Sequence, residues 1–175
     1  MALSQSTIEF LQKSLVSDLQ VFAKPEWGSQ NPSHRELIRT ELAEVFSNTD
    51  LKTSVSHCEG MGVVVVSRSP LGVDVEVRAH VEEKIVARVS SNEEVLAAPS
   101  PASLWSAKEA IFKALRSYNQ PSVVSKISVG AWKNIDSQTE TYRLLHPEIH
   151  GSPSENRGVV MHFGEHTYSF FVFPS

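Results

Sequence analysis

One cysteine, Cys58, in 175 residues cannot form an internal disulfide, so a reducing, cytoplasmic setting is expected. The seven histidines are scattered, and no Cys/His cluster has zinc-finger spacing. Long hydrophobic runs are missing too. The longest, Gly62 to Val66, is far too short to cross a bilayer. The start, MALSQSTIEF, lacks the basic residues and apolar core of a secretory leader. Positive charge is not in excess: the net charge is −4, which argues against general nucleic-acid binding. What is present, 41% hydrophobic and 21% charged residues, suits a soluble domain with an ordinary core.

The charge is uneven. Residues 108–135 hold Lys108, Lys113, Arg116, Lys126 and Lys133 against Glu109 alone, a local +4 that leaves −8 for the rest of the chain. Such a stretch suits an anionic partner, although chance clustering gives the same count.

Hydrophobic spacing predicts two helices early in the chain. Ile8, Leu11, Leu15, Leu19 and Phe22 form one stripe, with Ser6 and Glu9 at capping-box spacing. A second helix is expected from Ser33, boxed by Glu36, to Phe46. Residues 1–50 therefore read as a short, mainly helical N-terminal part, and 51–175 as the principal domain. Valine-rich strands are predicted at Leu51–His57, Met61–Ser67 and Leu71–Val77. Helical patterns return at Val81–Val89 and after Ser91. The proline-broken loop APSPAS (98–103) should end with Ser103 capping the helix that contains WSAKEAIFK (105–113). Four strands follow, at 126–132, 139–145, 158–163 and 167–173, the last two flanking a Gly164-Glu165-His166 turn. Helices mixed with mainly antiparallel strands define an α+β class.

Three short stretches carry chemistry. In GVDVE (72–76), strand alternation puts Asp74 and Glu76 on one face and Val73 and Val75 in the core. Paired carboxylates are either a solvated sheet face or hard-oxygen ligands for Mg²⁺. In SVSHCEG (54–60), a hydroxyl, an imidazole and a glycine turn suit phosphate oxygens, although His57 has an equally ordinary structural reading. Neighbouring side chains on a strand diverge, so Cys58 and His57 are not a catalytic dyad, and Cys58 reads as a small buried apolar residue. In WSAKEAIFK, Glu109 and Lys113 share a helical face, as a surface ion pair or as part of a site.

The order SH-x-x-G, GVDVE, W-x-x-KEA-x-x-K resembles the 4'-phosphopantetheinyl transferases over roughly residues 51–175. The D-x-E form and the SH turn are more similar to the longer, surfactin-synthetase-activating type than to the short holo-acyl-carrier-protein synthase type. The chain departs from the longer type in its abbreviated N-terminal part and in having Leu51-Lys52-Thr53 where a Gly-Lys-Pro stretch is usual. The resemblance implies the fold of that family, an antiparallel sheet packed on helices. It also implies transfer of the phosphopantetheine arm of coenzyme A to a serine of an apo acyl carrier protein or carrier domain, as in fatty acid biosynthesis.

By motif, Asp74, Glu76 and Glu109 would hold Mg²⁺, with Glu109 or a metal-bound water as base. Lys113 would balance phosphate charge or protonate the leaving oxygen. Ser56, His57, Lys108 and, more loosely, Arg35 would meet the phosphates of coenzyme A, and Arg78 is a further phosphate candidate. Trp105 is expected to pack and orient its helix. A monomer is favoured over the trimer of the short class. The rival readings are a Mg²⁺-dependent phosphoesterase acting on a nucleotide or coenzyme A-like substrate, and a non-enzymatic carrier-binding protein.

Overall fold

The computed structural model describes residues 3–175. The MGVVVVS segment sets the architecture of the first half. As strand β3 (Met61–Ser67) it is buried along its whole length, and a strand buried on both faces needs a partner at each edge. One partner is β2 (Lys52–Cys58), joined through a turn in which Gly60 has φ 75°. The other is β1 (Gln20–Lys24), giving a three-stranded antiparallel sheet in the order β1-β3-β2.

That second partner corrects the reading of a helix through Phe22. Helix α1 runs only from Gln5 to Ser14, and its cap is Ser4, whose hydroxyl accepts the Thr7 N–H, rather than Ser6. The backbone turns after Leu15, and Asp18 accepts from Ser67 Oγ (2.7 Å) and from Arg68 N (2.9 Å). Leu11, Leu15 and Leu19 still enter one core. QVFAK follows as an edge strand because its demand for pairing is met by β3. The expected second helix is two short ones, α2 (His34–Glu41) and α3 (Ala43–Ser47), broken at Leu42, and Ser33 forms no side-chain cap.

The second half is a five-stranded antiparallel sheet in the order β4-β8-β7-β6-β5. Its strands are β4 (Leu71–Val77), β5 (Ser128–Asn134), β6 (Thr139–Leu145), β7 (Arg157–Phe163) and β8 (His166–Val172). Short helices α4 (Glu83–Arg88) and α5 (Asn92–Ala97) lead to α6 (Pro101–Ala114). Helix α6 starts earlier than predicted. Ser100 caps it by accepting the Ser103 N–H, because Pro101 at the first helical position is compatible with a helix start, whereas Ser103 is buried in the first turn.

Strand β4 would be an open edge. Strand β2 covers it, and the hydroxyls of Ser54 and Ser56 accept from Val73 N (3.1 Å) and Val75 N (3.2 Å) in place of ladder hydrogen bonds. Opposite, α6 lies against β4 through Ala107, Ala110 and Ala114, all buried. Gly72 permits this approach: a Cβ there would stand 1.9 Å from the Ala110 carbonyl oxygen. The result is an α+β fold in which β2, β4 and α6 meet along one seam.

Candidate active site

The seam gathers most of the residues singled out above. Gly72, Asp74 and Glu76 alternate onto the side of β4 that faces α6, and Glu109 and Lys113 flank the close contact at Ala110. Asp74 is buried, at 3% exposure. Its Oδ1 accepts from Ser56 Oγ (2.9 Å) and from Lys113 Nζ (3.0 Å). Lys113 also donates to the Val73 carbonyl (2.9 Å) and to Ser56 Oγ (3.0 Å), so all three of its N–H groups are used. Ser56 is equally committed, donating to Asp74 and accepting from Val75 N and Lys113. It positions Asp74, and its hydroxyl is not free for a phosphate as it stands.

Glu76 Oε1 accepts from the indole N–H of Trp105 at 3.1 Å. Trp105 thus packs on its helix as expected and also fixes a carboxylate, a role missed in the sequence. One signal was available. Trp105 and Glu109 are four apart on the helix, so a donor on that face could reach acids across the seam.

Electrostatics tie the three acids together. Burial, then repulsion from Asp74, pushes Glu76 up to about 7, with Glu109 adding to the rise and the Trp105 and Lys113 donors opposing it. Glu109 is raised by burial and by Asp74, and lowered by Lys113. Three carboxylates therefore share one cationic side chain. Asp74 Oδ2 is buried and has no hydrogen-bond partner. A hard cation would satisfy this donor set, whose free oxygen and raised acids are the kind of ligands Mg²⁺ takes. Among the described residues, however, no three His, Cys, Asp or Glu side chains are arranged to hold a metal as they stand. Like charges have turned to the nearest donors, Asp74 to Lys113 and Ser56, and Glu76 to Trp105.

A carboxyl whose folded pKa lies above its unfolded value contributes most below about 4.5 and loses that contribution as pH rises through about 7. Glu76→Gln should therefore raise the metal-free Tm at pH above 7, by roughly 3–6 °C after allowance for solvent screening. The gain should vanish near the unfolded pKa. Thermal melts across pH test this, and an unchanged Tm in alkaline buffer would contradict it.

His57 faces away from Ser56, onto the α2 side of the first sheet. With Arg35, Arg39, Ile38, Phe46 and Val55 it lines a cavity of about 510 Å³. Its ring meets that of His34 edge-on at 4.3 Å between centroids. Burial first, then the charges of His34, Arg35 and Lys113, lower its pKa. Arg39 was missed in the sequence, although it lies one helical turn from Arg35 on the same face.

Two expectations need correcting. Lys108, expected at the phosphates, is not at a surface where one could meet it. It is fully buried, ion-paired to Glu94 at 2.8 Å, and donates to the Ile127 carbonyl. Its place one residue before Glu109 turns it away from β4 and into the α5–β5 side of the core. Arg78, by contrast, is exposed and gives one N–H to the Gly164 carbonyl at 2.6 Å, which leaves its other donors free. The basic stretch 108–135 is not one patch either: Lys108 is internal and Lys113 is held by Asp74, which leaves Arg116, Lys126 and Lys133 exposed. The expectation for Cys58 agrees with its surroundings. Burial and the nearby Glu76 and Asp74 push the thiol up to about 12, so it is inert at neutral pH.

Residues 70–156 match the family model of the 4'-phosphopantetheinyl transferase superfamily. The matched segment contains Asp74, Glu76, Trp105, Glu109 and Lys113 but not Ser56 or His57. No curated protein matches the chain.

Proposed function

We infer that the protein transfers the 4'-phosphopantetheine arm of coenzyme A to a serine of an apo acyl carrier protein or carrier domain, releasing 3',5'-ADP, with Mg²⁺ as cofactor. The observation that carries this reading is the buried seam where Asp74, Glu76 and Glu109 share Lys113 and leave Asp74 Oδ2 unpaired, inside the segment that matches the family.

In the proposed reaction the serine hydroxyl attacks the β-phosphorus. The bond from that phosphorus to the bridging pyrophosphate oxygen breaks, and its electron pair leaves with 3',5'-ADP. Glu109, whose pKa is raised by burial and by Asp74, takes the serine proton. Asp74, Glu76 and Glu109 would hold Mg²⁺, which supplies charge neutralisation at the pyrophosphate. Lys113, on the same helical face as Glu109, exchanges its contact with Asp74 for phosphate oxygens. The cavity of Arg35, Arg39 and His57 takes the nucleotide end, with cations for its phosphates and Ile38, Phe46 and Val55 against the base.

One chain supplies both the acids and the basic cavity. This supports a monomer of the longer, surfactin-synthetase-activating type, and among the described residues no helix is long and apolar enough to cross a membrane. A cytoplasmic enzyme serving fatty-acid or related synthases fits these properties.

The test is a mass spectrum of apo-acyl carrier protein after incubation with the protein, coenzyme A and Mg²⁺. A gain of one phosphopantetheinyl mass on serine is expected. Release of the arm to water without protein modification would point to a phosphoesterase instead.

Arg116, just past the end of α6, and Lys126 remain exposed and are proposed to meet an acidic carrier. Arg116→Glu with Lys126→Glu should raise KM for the carrier roughly tenfold at low salt and leave coenzyme A affinity unchanged. An unaltered carrier KM would remove this surface from consideration.

A further inference from the structure

On the opposite face of the second sheet, against the C-terminal end of α1, lies a cavity of about 220 Å³ that the reaction above does not use. Its walls carry Lys133 from β5, Arg143 from β6 and Arg157 from β7, with Ser14 and Thr141 beside them. The register that pairs Tyr142 with Gly158 brings Arg143 and Arg157 side by side on adjacent strands, a like-charge neighbour relation that ordinarily destabilises a sheet.

Both guanidinium groups are held in place. Arg157 donates to the Leu15 carbonyl at 3.4 Å, and Arg143 donates to the Asn156 carbonyl. Glu155, on Arg157, is the one carboxylate ion-paired to these three cations among the described residues. Two positive charges are left uncompensated.

Lys133 is directed here by a β-bulge. The β5–β6 register shifts between Gly130 and Lys133, and Ala131 has φ 53°. That left-handed conformation is costly for a residue with a Cβ. Without the extra residue Lys133 would fall on the other face, since a one-residue slip exchanges faces.

We propose that this cavity is a binding site for a dianionic phosphate group, the phosphomonoester of a small molecule. Two positioned arginines provide planar forks for phosphate oxygens, and Lys133 a third charge. The hydroxyls of Ser14 and Thr141 complete the donors, and Val159 offers an apolar wall for the organic part. The site is separate from the acid seam and stands whether or not the proposed transferase activity does.

The test is a titration of ¹⁵N-labelled protein with inorganic phosphate and, separately, phenyl phosphate, at neutral pH and ionic strength held constant with chloride. Amide shifts read each residue, so binding here is distinguished from binding at Arg35 and Arg39. Saturable shifts at Lys133, Thr141 and Arg143 are expected, weakened about tenfold or more in Lys133→Gln/Arg143→Gln. Both side chains are exposed, so the variant should keep the wild-type Tm in chloride. Absent or unsaturable shifts at these residues, or equal shifts in the variant, would overturn the assignment. Saturation by inorganic phosphate but not by phenyl phosphate would overturn the phosphomonoester class.

Discussion

Glu109→Gln should lower kcat for carrier modification by about 10²–10⁴-fold and leave coenzyme A binding nearly intact. Glutamine keeps the shape of the side chain and removes both the proton acceptor and one negative oxygen. Fold loss does not confound the result, because Glu109 makes no hydrogen bond that the fold relies on and its charge is already disfavoured by burial and by Asp74. The variant should be at least as stable as the parent.

A pH–rate profile separates the two roles open to this residue. If Glu109 is the base, kcat rises with pH through its raised pKa, and the limb disappears in the glutamine variant. If Glu109 only helps to hold the cation, the limb survives at reduced rate and excess Mg²⁺ restores part of it. Asp74→Asn is a less direct probe, since it also releases Lys113 and Ser56. Full activity in Glu109→Gln would end the catalytic proposal.

Lys108→Met should have the largest effect on stability. It leaves Glu94 buried without its cation, and breaking a buried pair costs about 3–5 kcal/mol. For a chain of 175 residues that is a fall in Tm of roughly 6–20 °C. Glu94 Oε1 also accepts Val129 N at 2.8 Å, and its Oε2 accepts Ser91 N at 2.9 Å. One carboxylate therefore joins α5, α6 and β5. Replacing both partners, as Lys108→Met with Glu94→Leu, should recover part of the loss, limited by the Ser91 and Val129 N–H groups left without acceptors. A normal Tm for Lys108→Met combined with a raised KM for coenzyme A would instead restore the phosphate role that the motif implies.

The two lysines of WSAKEAIFK show where sequence reading succeeds and stops. Lys108 and Lys113 look alike in one dimension. A helix turns about 100° per residue, so Lys113 shares the face of Glu109 while Lys108 points elsewhere. That difference was readable. What waits on the other side was not, because Glu94 comes from a separate helix whose docking depends on the whole core. Trp105 and Ser56 follow the same logic: their residue types allow a hydrogen bond, but only packing across the seam supplies Glu76 and Asp74 as acceptors.

Local patterns alone determined the α+β class, the strands from β2 to β4, the β7–β8 hairpin, and the alternation that puts Asp74 and Glu76 on one face. These depend on periodicity and turn chemistry, which act between near neighbours. Tertiary structure decided the rest. QVFAK became a strand because β3 had a free edge, and Gly72 became the contact point because α6 came to lie on it. Charges that are scattered along the chain became a seam of acids and two basic cavities. Pairing and burial are long-range interactions, and their partners can be named only once the chain has closed on itself.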